Sequence, residues 1–313
     1  MKKIVVFIIL STIVLAAMCG LTGCSAFGSV TYANSDQYSV GDTEITDKIE
    51  NIEIDWPSGS VSVVSHSGNT FLLSEKAEDK IPEDLRVHWW LDGTTLHVKF
   101  AASGAGLRLF HTWHKDLTLT VPEALSFDDV VICAASAEID ASDLAAETLS
   151  VSTASGNVSI SCAANTIKLN SASGNIQLTQ TGNAGEVSID TTSGKINADL
   201  SQADTASFET SSGKIKVTAA SVDSLSAKST SGAVSCALEA TPSECKLHAV
   251  SGEVTLILPE GSDFTAHIST TSGDFESDFA LKKDGSTYIC GSGSADIDID
   301  TTSGDVSIRQ SIQ

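Results

Sequence analysis

One phrase recurs along this chain: a small polar run, Ser-Gly, then alternating apolar residues, as in "SASGNIQL", "TTSGKINADL", "STSGAVSCAL" and "TTSGDVSI". Aligned on the glycine, the copies fall at Gly156, Gly174, Gly194, Gly213, Gly232, Gly252 and Gly273. The steps between them are 18, 20, 19, 19, 20 and 21 residues, and Gly304 follows 31 further on. So regular a period is the signature of a solenoid, in which each unit is too small to bury its apolar row alone and does so by stacking on its neighbours.

Each unit has one grammar. Counted from the glycine, positions −7, −5, +2 and +4 are apolar and −3 is small. For Gly174 these are Ile167, Leu169, Ile176, Leu178 and Ser171; for Gly252 they are Cys245, Leu247, Val254, Leu256 and Ala249. Alternation at period two means strands with one buried face. The fold class expected is all-β: a β-solenoid of stacked two-strand rungs, each about 19 residues with a Ser-Gly turn and a second turn. Glycine is expected at the reversal because it takes positive φ without a Cβ penalty. The preceding hydroxyl residues are expected to bond turn amides. The residue after glycine points to solvent and reads Asn157, Asn175, Lys195, Lys214, Ala233, Glu253, Asp274 and Asp305, from neutral through basic to acidic.

The same grammar surrounds Gly59, with Ile52, Ile54 and Trp56 before it and Val61 and Val63 after. The spacing is then lost, although strand-like runs persist and Asp92-Gly93 suggests a hairpin. The solenoid domain is therefore placed at 46–313. Residues 46–130 are irregular or capping rungs, and 131–313 are regular rungs with an insertion at 279–293.

The first residues read as an address. Lys2 and Lys3 precede an apolar run at 4–15, and Leu21-Thr22-Gly23-Cys24 resembles a lipoprotein cleavage site. This implies a signal peptide at 1–23, lipidation of Cys24, export, and attachment to the outer face of the bacterial cell membrane. Two acyl chains suffice for stable anchoring. Residues 24–45, rich in small polar residues, read as a flexible tether. The formal charge of −22 excludes nucleic-acid binding through phosphates and disfavours anionic lipid; it leaves cationic partners open.

The search for chemistry yields little. Asp190, Glu209 and Lys228 sit at outward positions on successive rungs, so Asp190 with Glu209 is the candidate acid/base pair of a carbohydrate-active enzyme, against a solvated charge ladder. "HTWH" sets His111 and His114 beside Trp113 without an evident third ligand. Asp296, Asp298 and Asp300 share one strand face and form a candidate calcium site. Of the cysteines beyond Cys24, Cys236 and Cys245 occupy inward positions near a turn; they are either a disulfide or two buried free thiols. No catalytic residue and no cofactor is assigned.

The segments "IENIEIDWPSGSVSVV", "TLHVKF" and "LTLTVPEAL", with the serial Ser-Gly turns, resemble a family of bacterial envelope domains known as "putative adhesins", formally a domain of unknown function. The resemblance spans about residues 49–308 and implies surface adhesion; it supplies no catalytic residues. Three functions follow. The first is a non-catalytic, lipid-anchored, adhesin-like binding or structural protein with an envelope protein or glycan as ligand. The second is an envelope-stress or sensory accessory protein contacting a membrane partner. The third is a carbohydrate-active β-helix enzyme.

Overall fold

The computed structural model describes residues 31–77, 81–105 and 114–311. It is all-β: among the described residues there are twenty-three strands, two single-turn 3-10 segments and no α-helix. The chain divides into two compact units, residues 1–157 and 158–313.

The second unit is a stack of parallel rungs. Strands Val158–Ser171, Ile176–Thr191, Ile196–Ser212 and Ile215–Ser231 each pair in parallel with the next. Equivalent residues therefore fall into rows along the stack. One inward row is Ile167, Val187, Ala206 and Leu225; another, beyond the glycine corner, is Ile176, Ile196, Ile215 and Val234. All of these are buried. Each Val, Ile or Leu so buried contributes about 1.5–3 kcal/mol, and only because a neighbouring rung lies above and below it.

The expected second turn is not a discrete turn in these four rungs. The strands run straight through that corner, two of them with a register shift at Cys162/Thr166 and at Gln180/Asn183. An extra residue bends an extended ribbon without ending it. A true break appears only after Val234–Leu238, where Pro242 lacks the amide needed to continue the ladder.

The expected conformational role of the turn glycines is also corrected. Of the nine, only Gly59, Gly232 and Gly304 have positive φ. The common requirement is close approach. A Cβ on Gly194 would lie 2.0 Å from the Gly174 carbonyl oxygen, one on Gly232 would lie 1.9 Å from that of Gly213, and one on Gly252 2.2 Å from that of Gly232. No side chain fits there. The hydroxyl residues beside the corner do not bond turn amides either: Thr210 Oγ1 donates to the Gly194 carbonyl at 3.3 Å and Ser229 Oγ to that of Gly213 at 3.1 Å. At the same position the side-chain oxygens of Thr153, Ser171 and Thr191 are buried and have no hydrogen-bond partner among the described residues.

The end of this unit departs from chain order. Strands Ala295–Ser303 and Val306–Gln310, the last of the chain, pair with Glu244–Ser251 and Val254–Leu258 on one side. On the other side they pair with Phe264–Ser272 and Phe275–Ser277. The rung of Gly304 thus lies between those of Gly252 and Gly273. The segment expected as an insertion at 279–293 forms a hairpin, Lys282–Asp284 with Thr287–Cys290, whose second strand pairs antiparallel with Phe264–Ser272. It covers the edge that the outermost rung would otherwise leave open.

The first unit repeats this device. Strands Asn51–Trp56 and Ser60–His66 lie between Thr95–Lys99 with Lys115–Pro122 on one side and Phe127–Ala134 with Glu138–Thr153 on the other. The expected Asp92-Gly93 hairpin is present, pairing His88–Asp92 with Thr95–Lys99. Gly156 stacks over Ala137, whose carbonyl oxygen would be 2.0 Å from an added Cβ; Ala137 therefore marks a rung that lacks its own glycine.

The tether expected over 24–45 is contradicted from residue 32 onward. Tyr32 Oη donates to the Ala101 carbonyl at 3.0 Å, and its ring packs on Tyr38, which packs on Trp90. Ser39–Val40 and Thr43–Ile45 add antiparallel strands to His88–Asp92 and Phe71–Ala77. Polar composition concealed these aromatic anchors and short edge strands. Cys24 and the leader lie outside the described residues.

Candidate functional site

Among the described residues, the outward rows of the second unit form extended arrays of chemistry-bearing side chains, set by the same register that builds its core. Four positions before each glycine, the row reads Asn170, Asp190, Glu209, Lys228, His248, Asp300 and Ser269 in spatial order. Neighbouring members are one rung apart, about 4.8 Å. Lys228 Nζ lies 3.0 Å from Glu209 Oε1, and His248 Nδ1 lies 3.1 Å from Asp300 Oδ2. Ser188 Oγ donates to Asp190 at 3.3 Å. Burial, and then the neighbouring Glu209 charge, push the Asp190 carboxyl above the usual carboxylate range, with Ser188 opposing.

The nominated pair Asp190 and Glu209 are thus register partners on adjacent strands. Both project from the same face, one rung apart. Glu209 is moreover engaged by Lys228. The arrangement is that of a charge ladder.

The calcium candidate is corrected. Asp296, Asp298 and Asp300 alternate along one extended strand, so successive carboxylates are spaced about 6.8 Å apart and do not converge as a calcium shell does. Each has a basic neighbour: His267 Nε2 is 3.9 Å from Asp296, Lys246 and His267 are the register partners of Asp298, and His248 holds Asp300. Among the described residues no group of three or more His, Cys, Asp or Glu is placed to hold a metal ion. His114 is exposed; His111 and Trp113 lie outside the described residues.

Cys236 and Cys245 are free thiols, so of the two readings the disulfide is corrected. Cys236 is stacked between Val217 and Leu256, and Cys245 between Leu225 and Ile297. Each is committed to its own inward row. Burial pushes the Cys236 thiol up to about 12 and raises Cys245 as well, with Cys236 nearby adding to the latter. These sulfurs are unreactive packing groups.

Two features of the structure were not singled out from sequence. In the first unit, Lys115 is fully buried. Its Nζ bonds Glu75 Oε2 at 2.6 Å and the Leu85 carbonyl at 2.6 Å, also reaches the Phe100 carbonyl, and lies 3.9 Å from the Phe100 ring centroid. Burial lowers its pKa to about 8, opposed by Glu75. The signal was available: Lys115 is in phase with Leu117, Leu119 and Val121 on the buried side of its strand. In the second unit, Asp263 accepts from the Ser292 and Ser294 amides at 3.0 and 2.9 Å and from Ser292 Oγ at 2.7 Å. The Gly293 amide also donates to it. These donors hold its carboxyl at about 2 and tie the hairpin back to the rung. Both groups are internal fastenings.

Together the geometry defines a β-repeat class of protein, whose stacked rungs bury one apolar face and carry polar outward rows in which some of the charges are paired. The chain belongs to the Toastrack DUF4097 family, whose model matches residues 49–309. Solved structures similar to it include a "putative adhesin" from Parabacteroides distasonis, at 13% identity, TM-score 0.40, covering 87% of this chain and 97% of that one. A "putative lipid binding protein" from the same organism is 14% identical, TM-score 0.41, covering 88% and 97%. A "putative cell adhesion protein" from Clostridium sporogenes is 10% identical, TM-score 0.21, covering 87% and 100%. Likeness at this level does not transfer a function. No curated protein matches the chain.

Proposed function

We propose that the protein is a non-catalytic, exported, lipid-anchored component of the cell envelope, which binds an envelope protein or glycan through the rigid faces of its stacked rungs. The observation that carries this reading is the pairing of charges along the outward rows. Glu209 pairs with Lys228, Asp300 with His248 and Glu186 with Lys168 (3.7 Å), while the nominated Asp190 accepts from Ser188 Oγ at 3.3 Å. The anchor rests on Leu21-Thr22-Gly23-Cys24 behind a basic and then apolar leader. Rigid strand faces favour binding because they lose little freedom on contact.

Two measurements test it. Fatty-acid labelling should mark the wild-type protein and not Cys24→Ala, which should be released from membranes; equal labelling of both would refute the anchor. Native membranes should yield a co-purified envelope protein or glycan; turnover in a glycan-hydrolysis screen, abolished by Asp190→Asn or Glu209→Gln, would replace binding by catalysis.

A further inference from the structure

The glycine corner of the second unit forms an edge on which the residue after each glycine faces solvent. Backbone bonds fix its spatial order. The Ile176 amide donates to the Lys195 carbonyl, Ile196 to Lys214, Ile215 to Ala233, Val234 to Glu253, Val254 to Asp305 and Val306 to Asp274, at 2.9–3.0 Å. Because the rung of Gly304 lies inside that of Gly273, the order along the edge is Asn175, Lys195, Lys214, Ala233, Glu253, Asp305, Asp274. Two cations lie on one side of Ala233 and three anions on the other, with Asn175 beyond the cations.

The pattern is antisymmetric about Ala233 over two positions on each side, beyond which Asn175 stands opposite Asp274. A half-turn about an axis through Ala233 brings Lys214 onto the place of Glu253 and Lys195 onto that of Asp305. On the faces, Lys168, Lys228, Lys246 and Arg309 make ion pairs within the chain. Lys195, Lys214, Glu253, Asp305 and Asp274 are exposed, and none is in an ion pair among the described residues. The rest of the edge is mainly serine, threonine and glycine, with Ala172 and the exposed Val250 two residues before their glycines, so a partner can come close.

We propose that this edge docks a second copy of itself, antiparallel, about a two-fold axis at Ala233. Such an isologous contact is self-complementary: each copy presents its lysines to the carboxylates of the other. Exposed ion pairs are individually small and screened by salt, so the association is modest and salt-sensitive. It is a property of the chain itself, independent of the ligand proposed above.

The test uses the full chain in detergent, followed by sedimentation velocity at about 50 and about 500 mM salt, over which the Debye length falls about threefold. Wild type should self-associate at low salt and dissociate at high salt. Lys195→Glu with Lys214→Glu, and separately Glu253→Lys with Asp305→Lys, should each weaken self-association at least tenfold. Mixed together, the two variants should recover it, because each now carries the other's complement. This mixture controls for misfolding, since a damaged chain would not regain affinity. Ala233→Cys should cross-link into a dimer through a single symmetric bond. A wild type monomeric at low salt, or a mixture no tighter than its components, overturns the proposal. Association that persists without the Ala233→Cys cross-link overturns the two-fold geometry.

Discussion

Gly213 rests directly on Gly194: a Cβ added to Gly213 would sit 1.8 Å from the Gly194 carbonyl oxygen and 2.7 Å from its carbon. Backbone, not a movable side chain, occupies the space. Gly213→Ala must therefore pry two rungs apart or bend one strand, and overpacking of this kind costs about 1–3 kcal/mol. Thermal denaturation should show a clear loss for Gly213→Ala and almost none for Lys214→Ala, one residue away and exposed. Equal, small effects would show that the rungs are not in contact at this corner.

The buried Lys115–Glu75 pair predicts an asymmetry. Glu75→Leu strands a fully buried ammonium, and removing one partner of such a pair typically costs about 3–5 kcal/mol. Lys115→Met costs less, because Arg86 Nε, 3.7 Å from Glu75, still offsets the carboxylate. The double variant recovers stability relative to Glu75→Leu. Urea denaturation of the three variants measures this order; a Glu75→Leu protein as stable as wild type would contradict it.

Acid should loosen the hairpin at the end of the second unit. The Asp263 carboxyl is held at about 2, below its ordinary 3.8, by the hydroxyl and amides that bond it. A depressed carboxyl contributes stability that is present above pH 3.8 and is lost as pH falls through 2. Hydrogen exchange at the Ser292, Gly293 and Ser294 amides should accelerate across that window in the wild type. In Asp263→Asn those amides should exchange at a rate insensitive to pH beyond intrinsic chemistry; matching pH profiles in the two proteins would count against the assignment.

The rungs were legible in the sequence because inward residues alternate without interruption: Ile167 and Leu169, Val187 and Ile189, and their equivalents all face the core. The reason for the glycines was not, since it lies in the carbonyl of another rung some 19 residues away. Rung order was hidden by the repeat itself. Val254 and Leu256 meet Val306 and Ile308 in the structure, yet the rung of Gly273 comes next in the chain and keeps most of the grammar, with Ser277 in place of the last apolar residue, and similar apolar rows carry little signal for which shall be neighbours. Lys115 was legible by phase, as the one charge on an apolar stripe. The strap from Tyr32 to Tyr38 was not, because its anchors, Trp90 and Ala101, are remote in the chain.

The buried cysteines give a chemical check on the core. Cys133, Cys162, Cys236 and Cys245 are buried, and burial pushes Cys162 and Cys236 up to about 12. None of the four should react with a thiol reagent in the folded protein, and all should react in denaturant without reductant; Cys290, partly exposed, should react first. Alkylation of Cys236 and Cys245 only after reduction would instead establish a disulfide.

The stacking order at the end of the second unit is the most direct test of how the chain is built. Neighbouring rungs place equivalent residues about 4.8 Å apart, within disulfide reach, whereas residues two rungs apart exceed its limit of about 7 Å. Cysteine pairs replacing Glu253 with Asp305, and Asp305 with Asp274, should therefore cross-link within one molecule on oxidation, while Glu253 with Asp274 should not. Efficient cross-linking of the 253–274 pair, with failure of 253–305, would mean that the rungs stack in simple chain order and would contradict the structure described here.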